Sequence, residues 1–203
     1  MNGVAVKEGS HREKLLDGAL RCLREKGYAR TTARDLVAAS GTNLSSIGYH
    51  FGSKDALLNE AIAAGFREWT AEVERAMFTQ ESASAAERLA LSLEAMIDRF
   101  EELRPFLVSF VEALPQAMRS PELRDQLADA YRECREAGAR MVSRALTEQG
   151  TAVSREQSET LASVGMAISD GLMLQWLVDP DAAPTAERVM EALVAALPVL
   201  PRA

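Results

Sequence analysis

The fold is decided by residues 31–54, TTARDLVAASGTNLSSIGYHFGSK, where two short helical segments lie on either side of a glycine. Thr32 predicts the start of the first segment, Arg34–Ser40, because the aspartate three residues after it completes a capping box. Gly41 ends that segment, and the second segment covers Asn43–Tyr49. Two short helices joined by a tight turn are typical of a helix-turn-helix unit.

A longer helix is predicted on each side of this unit. The upstream helix begins at Ser10, which forms a capping box with Glu13, and Leu15–Leu23 supply its apolar stripe. The downstream helix begins at Ser53 and has apolar residues every three or four positions. We therefore expect a three-helix amino-terminal domain at 1–54, joined to the rest of the chain by the helix from Ser53.

The remainder of the chain, residues 55–203, is also predicted to be helical, because it has no sustained period-two alternation of β-branched and aromatic residues. We expect Pro105, Pro121 and Pro184 in the first turns of helices. Charged residues interrupt the long apolar runs, so no membrane span is expected. The predicted fold is all-α, a helix-turn-helix domain followed by a larger helical bundle. The bundle helices are predicted near residues 86–102, 105–117, 121–149, 155–178 and 184–197.

Charge is divided unevenly along the 203 residues. The net charge is −7, but residues 1–54 carry nine Lys or Arg against five Asp or Glu, whereas residues 55–203 carry 14 against 25. A basic domain attached to an acidic one predicts a polyanionic partner at one end. The wide separation of Cys22 and Cys134 supports neither a disulfide framework nor a zinc site. With no signal-peptide pattern in the first ten residues, we expect a cytoplasmic protein.

The second short helix carries the chemistry of a nucleic-acid contact. Its residues have low helix propensity, so we expect Ile47 to anchor it in the core while small and polar residues point outward. Such a face fits the floor of the major groove, where Leu44 can meet a thymine methyl group. Tyr49, His50 and Lys54 are phosphate donors, and Lys54 lies at a helix N-terminus that favours an anion. The alternative is a surface turn rich in serine and asparagine.

Residues 12–58 resemble the DNA-binding domain of the tetracycline-repressor (TetR) family of bacterial transcriptional regulators. The matching stretches are Leu15–Ala19, Gly27-Tyr28, Thr31–Leu36, Gly41, Tyr49–Lys54 and Leu57-Leu58. The resemblance implies a dimeric, all-α regulator that binds double-stranded DNA. It also implies contacts to the DNA backbone at Thr32, Tyr49, His50 and Lys54, and groove-facing positions at Arg34, Asn43, Ser45 and Ser46. Gly48 departs from the family, which usually has a tyrosine there, and removes one expected contact.

The carboxyl-terminal part is similar, over a short stretch, to the dimer-helix region of some TetR-family members, including the BetI-type subgroup. That similarity is carried by Asp170-Gly171-Leu172, Gln175-Trp176-Leu177 and Asp179-Pro180. Apolar stripes on the last two predicted helices can form a four-helix interface across a two-fold axis, or the core of a single chain. The candidate interface residues are Leu161, Gly165, Ile168, Leu172, Trp176, Val189, Leu193 and Leu197.

Soft and aromatic side chains in the bundle are candidates to line an effector pocket, because they suit an apolar cavity with few polar groups. They suit a plain hydrophobic core equally well. The candidates are Met96, Phe100, Phe106, Phe110, Tyr131, Met141, Met166, Met173 and Trp176. No cofactor is expected, and no spacing of His, Cys, Asp and Glu residues predicts a metal site.

The predicted function is that of a ligand-responsive regulator, a homodimer that binds a pseudo-palindromic operator. Repression is favoured over activation because repression needs only occupancy of a promoter. The alternatives are a helical adaptor that binds only protein and a non-classical activator. An enzyme is not expected, because His11 and His50 are the only histidines and no nucleophile elbow, P-loop, HExxH or GxGxxG motif occurs.

Overall fold

The computed structural model describes residues 10–81 and 83–196, and in these ranges its regular secondary structure is entirely α-helical. The prediction of an all-α fold is confirmed. In chain order the helices are α1 His11–Lys26, α2 Ala33–Ser40, α3 Leu44–Phe51, α4 Lys54–Met77, α5 Ala85–Ile97, α6 Phe100–Ala117, α7 Pro121–Thr147, α8 Arg155–Val178 and α9 Ala186–Ala196.

Local signals set the ends of the first three helices. The capping boxes predicted at Ser10 and Thr32 are both present. Asn43 Oδ1 accepts a hydrogen bond from a backbone N–H of the first turn of α3 at 3.0 Å, so α3 begins at Leu44 rather than at the cap itself. Gly41 ends α2 at φ 65°, a left-handed conformation that favours glycine. The predicted helix-turn-helix unit is therefore present.

Helices α1, α2 and α3 pack against one another around a buried core. Leu15 and Leu36 are fully buried and Ile47 is 4% exposed, which confirms Ile47 as the anchor of α3. α1 approaches the end of α2 closely at Gly18, where a Cβ atom would lie 2.9 Å from the backbone nitrogen of Ser40. A larger residue at this position would have to push the two helices apart.

The prediction of one helix at residues 86–102 is wrong, because this stretch contains α5 and the start of α6. Helix α6 begins at Phe100, so Pro105 lies inside it rather than in its first turn. Two glutamates occupy the first turn of α6, where carboxylates interact favourably with the helix dipole, and this favours a start ahead of the proline. Pro121 begins α7 as predicted, whereas Pro184 precedes α9.

The chain divides into two compact units. The first contains the described residues up to 65 together with 105–129, and the second contains 66–104 together with those from 130 onward. Helices α4, α6 and α7 each contribute residues to both units. The units therefore do not follow a single boundary at residue 54. The assignment of 1–54 to DNA binding and 55–203 to effector binding and dimerisation stays a prediction.

In the second unit, two cation–π contacts hold Phe78, the residue that follows α4. The guanidinium carbons of Arg88 and Arg144 lie 4.6 and 3.8 Å from the centroid of the Phe78 ring. Glu148 pairs with both arginines, at 2.6 Å from Arg88 Nη2 and 2.9 Å from Arg144 Nε. Met141, a candidate for the effector pocket, packs with Phe78 in a buried cluster and so fills the core at this point.

Helix α8 carries the longest apolar stretch of the described residues. By length and composition alone it could cross a membrane, although Asp170 interrupts its apolar stretch as expected. Only 17% of its most apolar window is buried. Its exposed side chains include Leu161, Val164, Leu174 and Val178, which we call the free α8 face. A single chain leaves this face uncovered.

Candidate nucleic-acid interface and effector site

Helix α3 presents one narrow, exposed face. Leu44 and Tyr49 are 56% and 85% exposed, and Ser45 and Gly48 are exposed beside them. The opposite side of the helix, which includes Ile47, is buried in the first unit. One face of α3 is therefore available to a partner, as a groove-facing helix requires.

The side-chain oxygen of Asn43 is engaged inside the chain. It accepts hydrogen bonds from Ser45 Oγ at 2.6 Å, from the backbone N–H of Ser46 at 3.0 Å and from Ser46 Oγ at 3.1 Å. Ser46 Oγ also lies 3.3 Å from His11 Nδ1, and Ser46 is only 7% exposed. The prediction that Ser46 points outward is wrong, because the cap and His11 hold its hydroxyl inward. Asn43 keeps its amide N–H groups as donors for a partner.

Lys54 lies at the start of α4, where the helix N-terminus favours an anion. Its Nζ donates to the carbonyl oxygen of Thr31 at 3.2 Å and lies 3.0 Å from Asp55 Oδ1. An ammonium group has three N–H donors, so these contacts orient Lys54 and leave a donor for phosphate. Tyr49 and the half-buried His50 precede it at the end of α3, with ring centroids 4.8 Å apart.

Thr32 and Arg34 lie at the start of α2, and both are exposed. The Thr32 hydroxyl donates to Asp35 Oδ2 at 2.6 Å. A hydrogen bond from Lys26, reinforced by those from Thr32, holds the pKa of Asp35 well below its usual range. The Thr32 hydroxyl proton is therefore used by the cap, while Arg34 presents its charge to solvent.

Leu44, the residue expected to meet a thymine methyl group, is exposed on α3. Two apolar residues three positions apart in a helix, such as Leu44 and Ile47, normally lie on one buried stripe. Their spacing alone therefore does not show that Leu44 is exposed and Ile47 is buried. The signal that separates them is the cap at Asn43. The cap places Leu44 in the first turn of α3, on the same side as Gly48 one turn later.

An aromatic cluster lies in the second unit. Phe100 is 1% exposed, and its ring centroid lies 5.5 Å from that of Trp176 and 6.0 Å from that of Trp69. The Arg104 guanidinium carbon lies 5.0 Å from the Trp176 ring centroid. Trp69 Nε1 is buried and has no hydrogen-bond acceptor among the described residues. A buried N–H without an acceptor is costly, so a ligand that supplies an acceptor would be stabilised there.

Asp170 and Tyr131 form a polar pair in the same unit. The Tyr131 hydroxyl donates to Asp170 Oδ2 at 2.9 Å, and both residues are half-buried. Burial raises the pKa of Asp170, against the lowering effect of this hydrogen bond. Burial and the neighbouring carboxylate also raise the pKa of Tyr131. A positive charge near Asp170 would favour the ionised carboxylate.

The effector candidates do not all belong to one unit. Phe106 and Phe110 belong to the first unit and are each 2% exposed, whereas the other candidates belong to the second. Phe106 packs on Gly65 so closely that a Cβ atom there would lie 2.5 Å from the ring. Phe106 therefore contributes to the core of the first unit. In the second unit Met96, Phe100, Met141 and Met173 are buried, and Tyr131, Met166 and Trp176 are half-buried.

The candidate dimer residues divide between core and surface. Leu172 and Val189 are only 7% and 9% exposed in the single chain, so both pack mainly within it, and their place in a dimer interface stays a prediction. Leu161 of the free α8 face lies on nearly the same side of a regular helix as Leu172, so packing within the chain, and not the periodicity of α8, buries Leu172. Of the other candidates, Leu161 and Gly165 are exposed, Ile168, Trp176 and Leu193 are half-buried, and Leu197 lies outside the described residues.

Comparison with known proteins gives relatives along the whole chain. HTH-type transcriptional regulator BetI of Burkholderia lata is 26% identical over 176 residues, 86% of each chain. HTH-type transcriptional repressor Rv1474c of Mycobacterium tuberculosis is 46% identical over 48 residues, which are 24% of this chain and 26% of that repressor. A transcriptional regulator from Saccharomonospora viridis, solved in complex with choline, has a TM-score of 0.60 at 26% identity and covers 92% of this chain and 95% of its own.

The helix-turn-helix unit, the exposed face of α3 and these relatives define a DNA-binding transcriptional regulator. Residues 15–61 match the family profile of bacterial regulatory proteins of the tetR family, and residues 58–199 match that of the BetI-type transcriptional repressor C-terminal domain. The chain belongs to the TetR family. It is a ligand-responsive DNA-binding repressor and not an enzyme.

Proposed function

We propose that this repressor is a cytoplasmic homodimer that places two copies of α3 in successive major grooves of a pseudo-palindromic operator. The observation that carries the proposal is the exposed face of α3, which begins at the Asn43 cap and ends beside Lys54. Base edges are read from grooves, whereas phosphate contacts set the register of the protein on the duplex. Both kinds of donor lie along this one face.

The proposed contacts fall into two sets. Tyr49, His50 and Lys54 donate to the sugar–phosphate backbone, with Lys54 held in place by Thr31 and Asp55. Thr32 contacts the backbone without donating its hydroxyl proton, which Asp35 accepts. Arg34, Asn43 and Ser45 face the groove. Ser46 acts through Asn43, since its buried hydroxyl donates to the amide oxygen and thereby turns the amide N–H groups outward. Ser46 is therefore a positioning residue.

The free α8 face supports the dimer. Gly165 and Gly171 lie along this helix, and a Cβ atom on either would have no heavy atom within 4 Å among the described residues. On α9, Val194 is 58% exposed. Two helices consecutive in the chain, each with apolar exposed residues, can form an isologous four-helix interface if they lie side by side. We therefore place the dimer contact on this face rather than on Leu172 and Val189.

The effector site is proposed at the aromatic cluster of the second unit. Trp69, Phe100 and Trp176 offer aromatic rings, which attract quaternary ammonium groups, and the unit also contains the Asp170 carboxylate. A cationic ligand on Trp176 would have to replace the Arg104 guanidinium that lies over this ring. Choline, which the structure from Saccharomonospora viridis contains, is therefore the first small molecule to test. Phe106 and Phe110 are left out because they belong to the first unit.

Selection from a random DNA library tests the operator proposal. The intact protein should enrich an inverted repeat whose half-sites are separated by about one helical turn or a small multiple of it. The protein-binding adaptor, which the family matches do not favour, predicts no enrichment over the starting library. An enriched sequence without two-fold symmetry would contradict the dimeric arrangement.

The effector proposal is tested through tryptophan fluorescence, because Trp69 and Trp176 are the only two tryptophans of the chain. Choline should change the emission of the free protein and weaken its complex with the selected duplex. The duplex should weaken choline binding by the same factor, since the coupling between two sites is reciprocal and is typically 5- to 150-fold. Equal choline affinity with and without DNA would exclude choline as the regulatory signal.

A further inference from the structure

We infer that Leu44 reads the methyl group of a thymine in each half-site, and that Gly48 keeps Leu44 uncovered for this contact. The inference rests on the proposed operator binding and names what α3 recognises there. This apolar contact differs from the hydrogen bonds to bases that Asn43 and Ser46 were expected to make. The geometry of α3 in the first unit carries it.

The polar candidates on α3 have little capacity left to distinguish bases. Asn43 Oδ1 already accepts three hydrogen bonds, so this side chain can offer donors but no acceptor. Ser46 is buried, and the Ser45 hydroxyl donates to Asn43 Oδ1 at 2.6 Å. A paired donor and acceptor on one side chain, as needed to read adenine through an asparagine, is therefore missing at Asn43.

Leu44 is the large aliphatic side chain on the exposed face of α3, beside the aromatic Tyr49. It is 56% exposed, although its neighbour Ile47 is 4% exposed in the same helix. In the major groove, the C5-methyl group of thymine is the apolar feature that distinguishes one base pair from the others. Burial of Leu44 against that methyl group would remove apolar surface of both molecules from water.

Gly48 makes this contact possible. Helical side chains lean toward the N-terminus and cover the residue one turn before them, so a side chain at position 48 would lie over Leu44. At Gly48 there is no such cover, because glycine has no side chain. The same absence lets the backbone of α3 approach the groove more closely than a larger residue would allow.

The test replaces thymine by uracil, which removes only the methyl group. The probe is the duplex that the intact protein itself selects from a random library, with each thymine of the half-sites replaced in turn. Replacement of the contacted thymine should weaken binding about fourfold in one half-site and about 15-fold in both, as expected for one buried methyl group at each contact.

Leu44→Ala is the matched protein variant, and its exposed position makes it compatible with folding. On the thymine duplex it should bind more weakly than the unmodified protein, and uracil should cause no further loss. Ser45→Ala should keep the full uracil effect. An effect of uracil on DNA shape would persist in Leu44→Ala, so equal sensitivity of the two proteins would overturn the inference.

The remaining outcomes separate this inference from the operator proposal. If the protein selects an inverted repeat but tolerates uracil at every thymine, or selects half-sites without thymine, the reading by Leu44 is wrong and operator binding stands. If no sequence is enriched, operator binding fails and the inference fails with it.

Discussion

Replacement of Gly48 by alanine should stabilise the protein. Gly48 lies inside α3, its backbone conformation is compatible with an L residue, and a Cβ there meets no heavy atom within 4 Å among the described residues. Alanine in a helix interior is favoured over glycine by about 0.5–1 kcal/mol, because the glycine loses more backbone entropy on folding. With no clash to subtract, nearly all of this gain should appear in the free energy of unfolding.

Gly18→Ala is the matched control within the same unit, because it is the same substitution in a crowded position. A Cβ at Gly18 would lie 2.9 Å from the backbone nitrogen of Ser40 and 3.0 Å from the Ser40 Cβ. Backbone atoms cannot move aside as a flexible side chain can, so α1 and α2 must separate. We expect a loss of about 1–3 kcal/mol, the usual cost of overpacking.

Urea denaturation followed by helical circular dichroism measures both variants, at one protein concentration because the stability of the proposed dimer would depend on concentration. The midpoint should rise for Gly48→Ala and fall for Gly18→Ala. A lower midpoint for Gly48→Ala would refute the reasoning, since it would mean that the glycine is needed for the fold of α3. Weaker operator binding by the stabilised variant would show that the α3 backbone lies close to the DNA.

Three further predictions concern the phosphate contact of Lys54, the dimer and the protonation of Asp170. Lys54→Ala should weaken binding to every duplex and reduce the magnitude of the salt slope by about 2 per dimer, and an unchanged slope in fluorescence anisotropy titrations would remove Lys54 from the phosphate contacts. Val164→Glu, on the free α8 face, should give folded monomers in analytical ultracentrifugation, whereas Leu172→Glu should unfold the protein because Leu172 is buried. The pKa of Asp170 is raised above its ordinary 3.8, so the folded state binds the Asp170 proton more tightly than the unfolded state does. The free energy of unfolding therefore falls as the pH rises from 3.8 through the pKa of Asp170 in the folded protein. Asp170→Asn keeps an acceptor for Tyr131 and should flatten this fall in pH-dependent denaturation; an unchanged profile would assign it to another group.

The amino-terminal unit could be predicted from the sequence because its signals are local. The capping boxes at Ser10 and Thr32 and the glycine after α2 act within four residues of chain. Hydrogen bonds between such near neighbours depend little on the rest of the fold. The same kind of reasoning failed at α5 and α6, where Pro105 was expected to start a helix. Two start signals compete there: the glutamates at 101 and 102 favour a start at Phe100, and Pro105 favours a later start. Which of the two prevails is not decided by these neighbouring residues alone.

The tertiary structure decided which residues of each helix are exposed to solvent and which are buried. An apolar stripe on α8 predicts that the helix buries one side, but it does not distinguish burial within the chain from burial against a second chain. Packing turned Leu172 inward and left Val164 uncovered. In the same way, Ser46 contacts His11, 35 residues earlier in the chain, and this contact keeps the Ser46 hydroxyl away from the bases that it was predicted to meet. Contacts between residues far apart in sequence depend on the arrangement of all the helices, and for this reason hydrophobic periodicity identified the elements of this protein but not the exposed side chains of its sites.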